Sequence, residues 1–93
     1  MCLKQKLKNK DLTVGSWITL GNTSIAEILA NAGYDWLVVD LEHTTISLEQ
    51  AGELIRTIEL AGVSPLVRLT NNDENQIKRV MDAGAHGIVV PMV

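Results

Sequence analysis

The sequence has one cysteine, Cys2, three aromatic residues, Trp17, Tyr34 and Trp36, and no uninterrupted apolar run near the length of a membrane span. Each scarcity excludes something. A lone cysteine cannot pair within the chain, which fits a reducing compartment. Without roughly 18 consecutive apolar residues there is no spanning helix, and the basic start is not followed by the apolar stretch of a secretory signal. A cytoplasmic location and no membrane partner are therefore expected. Three rings leave little on which bases could stack, and a net charge of -3 argues against the basic face that a nucleic acid needs. The one basic run, Lys4, Lys6, Lys8 and Lys10, alternates with neutral residues and reads as a solvated terminal helix. Neither G-x-x-x-x-G-K-[ST] nor G-x-G-x-x-G occurs, so nucleotide binding has no support.

What is present is a folded-domain composition, 46% hydrophobic and 20% charged, arranged in a unit that recurs along the chain. An amphipathic helix is followed by Ala-Gly, a two-residue spacer and a short apolar strand. The spacers read Ala32-Gly33-Tyr34-Asp35, Ala61-Gly62-Val63-Ser64 and Ala83-Gly84-Ala85-His86. Ser24 with Glu27, Ser47 with Gln50 and Asp73 with Gln76 have capping-box spacing and predict helix starts. Gly33, Gly62 and Gly84 sit where a helix ends in the left-handed conformation. Between these limits the apolar period is near 3.6: Ile25, Ile28, Leu29 and Ala32; Leu48, Ala51, Leu54, Ile55, Ile58 and Ala61; Ile77, Val80, Met81 and Gly84.

The strands, predicted over Ser16–Leu20, Trp36–Asp40, Pro65–Leu69 and Gly87–Val90, are near-continuous apolar runs, as parallel strands covered on both faces are. Right-handed crossovers make all four parallel. An open four-stranded α/β sheet and the first half of a (β/α)8 barrel explain this pattern equally well. The 93 residues fall well short of the roughly 250 that a closed barrel needs.

In either architecture ligands sit beyond the carboxyl ends of the strands. After the second strand, Asp40-Leu41-Glu42-His43-Thr44-Thr45 places two carboxylates and an imidazole just before a helix. The carboxylates could bind a metal, orient His43 or lead into the helix cap; the imidazole suits proton transfer near neutrality but is also common in satisfied loops. After the third strand, Arg68 stands among Leu66, Val67 and Leu69. Its planar fork matches a ligand carboxylate, or else an ion pair with Asp40 or Glu42 of the neighbouring strand. Asp82 opposes the helix dipole near the end of the third amphipathic helix, against local preference. His86 precedes the fourth strand, faces the opposite end and is expected to be structural. Pro91 fits a strand terminus.

Gly15-Ser16-Trp17, Ala26-Glu27-Ile28-Leu29-Ala30, Ala32-Gly33-Tyr34-Asp35-Trp36, Asp40-Leu41-Glu42-His43, Leu66-Val67-Arg68, Gln76 to Gly84 and Val90-Pro91-Met92-Val93 together resemble the amino-terminal part of the HpcH/HpaI aldolases. The resemblance spans nearly the whole chain in order and spacing. It implies an α/β fold that is the amino-terminal half of a (β/α)8 TIM barrel: four parallel strands, three intervening helices and a short N-terminal helix, with residues 1–93 forming one partial domain. It also implies a class II pyruvate aldolase that cleaves 4-hydroxy-2-keto acids to pyruvate and an aldehyde, with a divalent metal (Mg, Mn or Co) stabilising the enolate.

By position in these motifs His43 is implied to be the base and Asp82 its paired carboxylate. Arg68 is implied to bind the pyruvate moiety, with Trp17 lining the pocket and Asp40 and Glu42 beside the metal's waters. The metal's own ligands are expected beyond Val93, so the 93-residue chain is expected to bind no metal and to be inactive. The full-length family implies a small keto-acid substrate and trimers or hexamers of identical chains. The competing expectation is an open-sheet module, or a half-barrel, that binds an anionic ligand or a companion chain without catalysis.

Overall fold

Helix ends and strand ends follow largely from local chemistry. The structure, a computed structural model, describes residues 3–91; Cys2 and the Met92-Val93 pair lie outside the described residues. The order is α1 (Leu3–Lys8), β1 (Gly15–Ile18), α2 (Thr23–Ala30), β2 (Trp36–Asp40), α3 (Leu48–Leu60), β3 (Ser64–Arg68), α4 (Glu74–Asp82) and β4 (Gly87–Val89).

At α3 the Ser47 side chain accepts from Gln50 N while the Gln50 side chain accepts from Ser47 N, the full reciprocal box. At α4 the reciprocal box does not form. Asp73 accepts from Asn75 N, and the Gln76 side chain turns instead to the backbone N–H of Thr70. The α2 start differs from expectation. Asn22 is the cap, accepting from Ser24 N and Ile25 N, so Ser24 is already helical.

Gly33, Gly62 and Gly84 all have positive φ. After α3 and α4 they close paired C-terminal turns: Gly62 N donates to Glu59 O and Val63 N to Ile58 O, and Gly84 N donates to Met81 O and Ala85 N to Val80 O. Two such bonds satisfy carbonyls that the helix leaves open, and a side chain at these glycines would strain the turn.

The four strands pair in parallel in the order β1-β2-β3-β4. Sequential order with right-handed crossovers puts every intervening helix on one face. There is then no reversal of strand order, the mark of the doubly wound open sheet. The sheet is a four-stranded sector of a (β/α)8 barrel.

The helix side of the sheet contributes Ile18, Leu37, Val39, Leu41, Val67 and Leu69 to a core shared with Ala51, Leu54, Ile55 and Ile58 of α3. Each fully buried Leu or Ile there contributes about 1.5–3 kcal/mol relative to exposure. The predicted faces of α2 and α4 are partly displaced. Ala26 and Ala30 are the buried α2 residues, Ala32 is exposed, and Ile28 is 70% exposed. On α4 Val80 alone is buried and Met81 is exposed. Small side chains at 26 and 30 allow the close approach that Ile28 would prevent.

The other face of the sheet carries Trp17, Val38, Asp40, Leu66 and Arg68, because side chains alternate along each strand. Among the described residues no helix layer covers it. Helix α1 reaches only its amino end, where Leu3, Leu7, Leu66 and His86 line a space of about 580 Å³. Among the described residues no helix is long and apolar enough to cross a membrane.

Candidate functional site

Asp40 is the last residue of β2 and pairs in register with Arg68, the last residue of β3. Their side chains leave the same face at the carboxyl end of the sheet, and of the two readings of Arg68 the ion pair with Asp40 forms there. Arg68 Nε donates to Asp40 Oδ1 at 3.1 Å and Nη2 to Oδ2 at 2.7 Å. Asp40 is 3% exposed, so the pair is charge-assisted, two-pronged and largely dry on the acid's side. The Arg68 guanidinium lies first among the causes that hold the Asp40 carboxyl below its usual range, with the backbone N–H groups of His43 and Glu42 adding to it against burial. The arginine side chain reaches back across β2, and its guanidinium carbon sits 4.5 Å from the centroid of the Trp17 ring. A cation over an indole face is attracted by the ring's quadrupole.

The same Asp40 shapes the loop that follows it. Oδ1 accepts from Glu42 N at 2.9 Å and His43 N at 3.3 Å. The Thr44 hydroxyl donates to Asp40 O and then accepts from Ile46 N. Leu41 N extends the strand pairing by donating to Arg68 O at 3.0 Å. With Leu41 and Ile46 buried in the core and Ser47 capping α3, the segment from 40 to 47 is fastened at both ends. His43 stands on this short fixed arch, its side chain 69% exposed, with Nε2 3.2 Å from Glu42 Oε1. The same Glu42 oxygen lies 3.4 Å from Arg68 Nε, so Glu42 joins the imidazole and the guanidinium in one polar cluster.

Asp82 is elsewhere. It ends α4, whose nine residues rise about 1.5 Å each from the carboxyl end of the sheet back to the amino end. It is exposed, and among the described residues no hydrogen bond or ion pair joins it to His43. The dyad implied by resemblance does not form within one chain as folded. The placement was available from topology, since a residue at the end of a crossover helix lies at the amino end of the sheet. His86 lies at that amino end as expected, donating its backbone N–H to Pro65 O, with Nε2 3.8 Å from Glu59 Oε2.

One polar contact carried no sequence signal. Lys6 is not simply solvated: Nζ lies 2.6 Å from Asp35 Oδ1, while Asp35 Oδ2 accepts from Val14 N at 2.8 Å. No group of three His, Cys, Asp or Glu side chains among the described residues is placed to hold a metal ion, and both Asp40 oxygens are already engaged.

A guanidinium, an imidazole and two carboxylates gather at the carboxyl ends of β2 and β3, the end at which barrel folds carry their sites. The chain belongs to the HpcH/HpaI aldolase/citrate lyase family, whose sequence model matches residues 13–93. It is 37% identical over 87 residues to a 2-dehydro-3,6-dideoxy-6-sulfogluconate aldolase of Pseudomonas putida, covering 94% of this chain and 34% of that protein. It is 39% identical over 93 residues to a hydroxypyruvate/pyruvate aldolase of Paraburkholderia phytofirmans, covering 98% of this chain and 36% of that one. Among solved structures, the citrate synthase SbnG superimposes with a TM-score of 0.90 at 39% identity, over 99% of this chain and 38% of that one. The chain thus spans about a third of the length of the curated relatives it matches.

Proposed function

We propose that these residues form the keto-acid-binding and proton-transfer part of an aldolase that cleaves 4-hydroxy-2-keto acids to pyruvate and an aldehyde. The observation that carries this reading is Arg68, fixed at the carboxyl end of β3 beside His43, in a chain whose relatives are named as aldolases of 2-dehydro acids and pyruvate. The keto-acid carboxylate meets the guanidinium. His43 takes the proton of the 4-hydroxyl, directly or through water. As the bond between C3 and C4 breaks, its electron pair moves into the pyruvate enolate and the aldehyde departs; a proton then adds at C3 to give pyruvate, and His43 gives up the proton it took. Charge gathering on the enolate oxygen lies near Arg68, where a fixed cation is worth more than in water. Trp17 walls the site on the β1 side.

The divalent metal implied by resemblance supplies Lewis-acid chemistry when bound. Asp40 and Glu42 would lie beside its waters. The pairing of His43 with Asp82 requires a second copy of the chain, in keeping with the identical-chain trimers or hexamers of this reading. The protein acts in the cytoplasm on a small keto acid.

The test is pyruvate release from a 4-hydroxy-2-keto acid by the full-length protein and its His43→Ala and Arg68→Ala variants. Each substitution is expected to lower kcat/KM by about a hundredfold or more. Undiminished cleavage by His43→Ala contradicts the assignment of the base.

A further inference from the structure

Resting on the reading that this end of the sheet receives a 2-keto acid, the geometry points to Asp40 as a positioning residue that decides which edge of Arg68 the substrate meets. A guanidinium offers two edges to carboxylates: one formed by Nε and Nη2, the other by the two terminal nitrogens. Asp40 occupies the first completely, through Oδ1 on Nε and Oδ2 on Nη2. Trp17 covers one flat face. Among the described residues nothing bonds Nη1 or the second Nη2 hydrogen. The terminal edge is therefore the one left for a ligand's oxygens.

Asp40 does a second job with one of the same oxygens. Oδ1 also accepts the backbone N–H groups of Glu42 and His43, so one buried carboxylate sets both the angle of Arg68 and the arch that carries His43. The two jobs separate in a single substitution. Asp40→Asn keeps an oxygen for the arch but turns an NH2 toward Arg68 Nη2, placing donor against donor. The arch and the Nε bond to Oδ1 survive, while the Nη2 prong and the acid's charge are lost, so the fork is no longer fixed in angle.

Oxalate, a flat dianion of the shape of enolpyruvate, is the probe, titrated calorimetrically into the full-length protein at constant MgCl2. Asp40→Asn is expected to weaken oxalate about ten- to a hundredfold, the scale of one charged hydrogen bond lost. Arg68→Lys keeps the charge but removes the fork. In that background the Asn substitution is expected to add no further loss. Equal oxalate affinity in Asp40→Asn and wild type overturns the inference alone, as does a loss that persists undiminished beside Arg68→Lys. No oxalate binding by the wild type overturns the keto-acid reading and the inference with it.

A measurement on the wild type keeps the test open should the Asn variant fail to fold. In nitrogen-edited NMR, oxalate must shift the Arg68 Nη resonances and leave the Nε–H bonded to Asp40. Displacement of that Nε–H contradicts the proposed division of edges.

Discussion

Each end of the sheet carries a pair of opposite charges, and the two pairs have different fates. At the amino end, Lys6 meets Asp35 on one oxygen and the Val14 backbone takes the other. Asp35 N donates in turn to Val14 O, and Ser64 N donates to Asp35 O. The acid is a junction of α1, β1 and β3, and both its oxygens are used by the fold. At the carboxyl end, Asp40 is also fully engaged, but its partner is a planar fork held along one edge. The spare donors of the Lys6 ammonium turn freely about a single bond, whereas the second edge of Arg68 is aimed in one direction. The first arrangement completes a structure, and the second leaves a directed cationic edge.

The sharpest way to break this contrast is to remove the cation at each end of the full-length protein. Arg68→Ala is expected to lower kcat/KM for keto-acid cleavage about a hundredfold or more. Lys6→Ala should leave it within about twofold, as a half-buried ion pair at the opposite end of the sheet from the chemistry does. Comparable losses in the two variants would erase the distinction.

Packing at the amino end offers a second test. A β-carbon on Gly15 would come within 1.9–2.2 Å of three atoms of the Trp36 indole. Gly15→Ala is therefore expected to destabilise by about 1–3 kcal/mol in urea unfolding, with catalysis per folded molecule unchanged.

The helix that follows the His43 arch provides a smaller effect. Ser47→Ala removes half of the reciprocal cap and is expected to cost about 1 kcal/mol. Because the cap lies at the far end of the arch, it should also raise KM modestly, whereas Gly15→Ala should not.

Acid sharpens the comparison last. Asp40 is held below its ordinary range chiefly by Arg68, and Asp35 chiefly by Lys6. A depressed carboxyl contributes stability that is fully present above the unfolded value, about 3.9 for Asp, and is lost as pH falls through the folded value. Asp40→Asn should therefore flatten the acid limb of the stability curve below about pH 4. A limb of unchanged slope would mean that the Asp40 pair does not differ between folded and unfolded chains.

Much of this architecture was legible because local chemistry writes it. The Ser47–Gln50 spacing and the glycines at 62 and 84 each name one backbone event that few other residues can serve. Ambiguity entered where two capping residues compete: Asn22 and Ser24 are both good caps, and the chain uses the earlier one. Strand limits moved by one or two residues, since a continuous apolar run does not mark its own ends. Whether four strands build an open sheet or a barrel sector was invisible to periodicity; strand order decided it.

The site divided along the same line. Asp40, Glu42, His43 and Arg68 stand at strand ends and could be found from chain order. The stacking of Arg68 on Trp17, two strands away, and the joining of Lys6 to Asp35 depend on register and on a helix docking 29 positions distant, which leave no local trace. The pairing of Asp82 with His43 came from resemblance alone, and the direction of α4 keeps the two apart within one chain.

The most direct measurement is a crystal structure of the full-length protein with pyruvate bound. The carboxylate is expected at about 3 Å from the two terminal nitrogens of Arg68, with Asp40 still on Nε and Nη2 and His43 facing the position of the leaving aldehyde. A carboxylate bound away from Arg68, or one that takes the place of Asp40, would contradict the account.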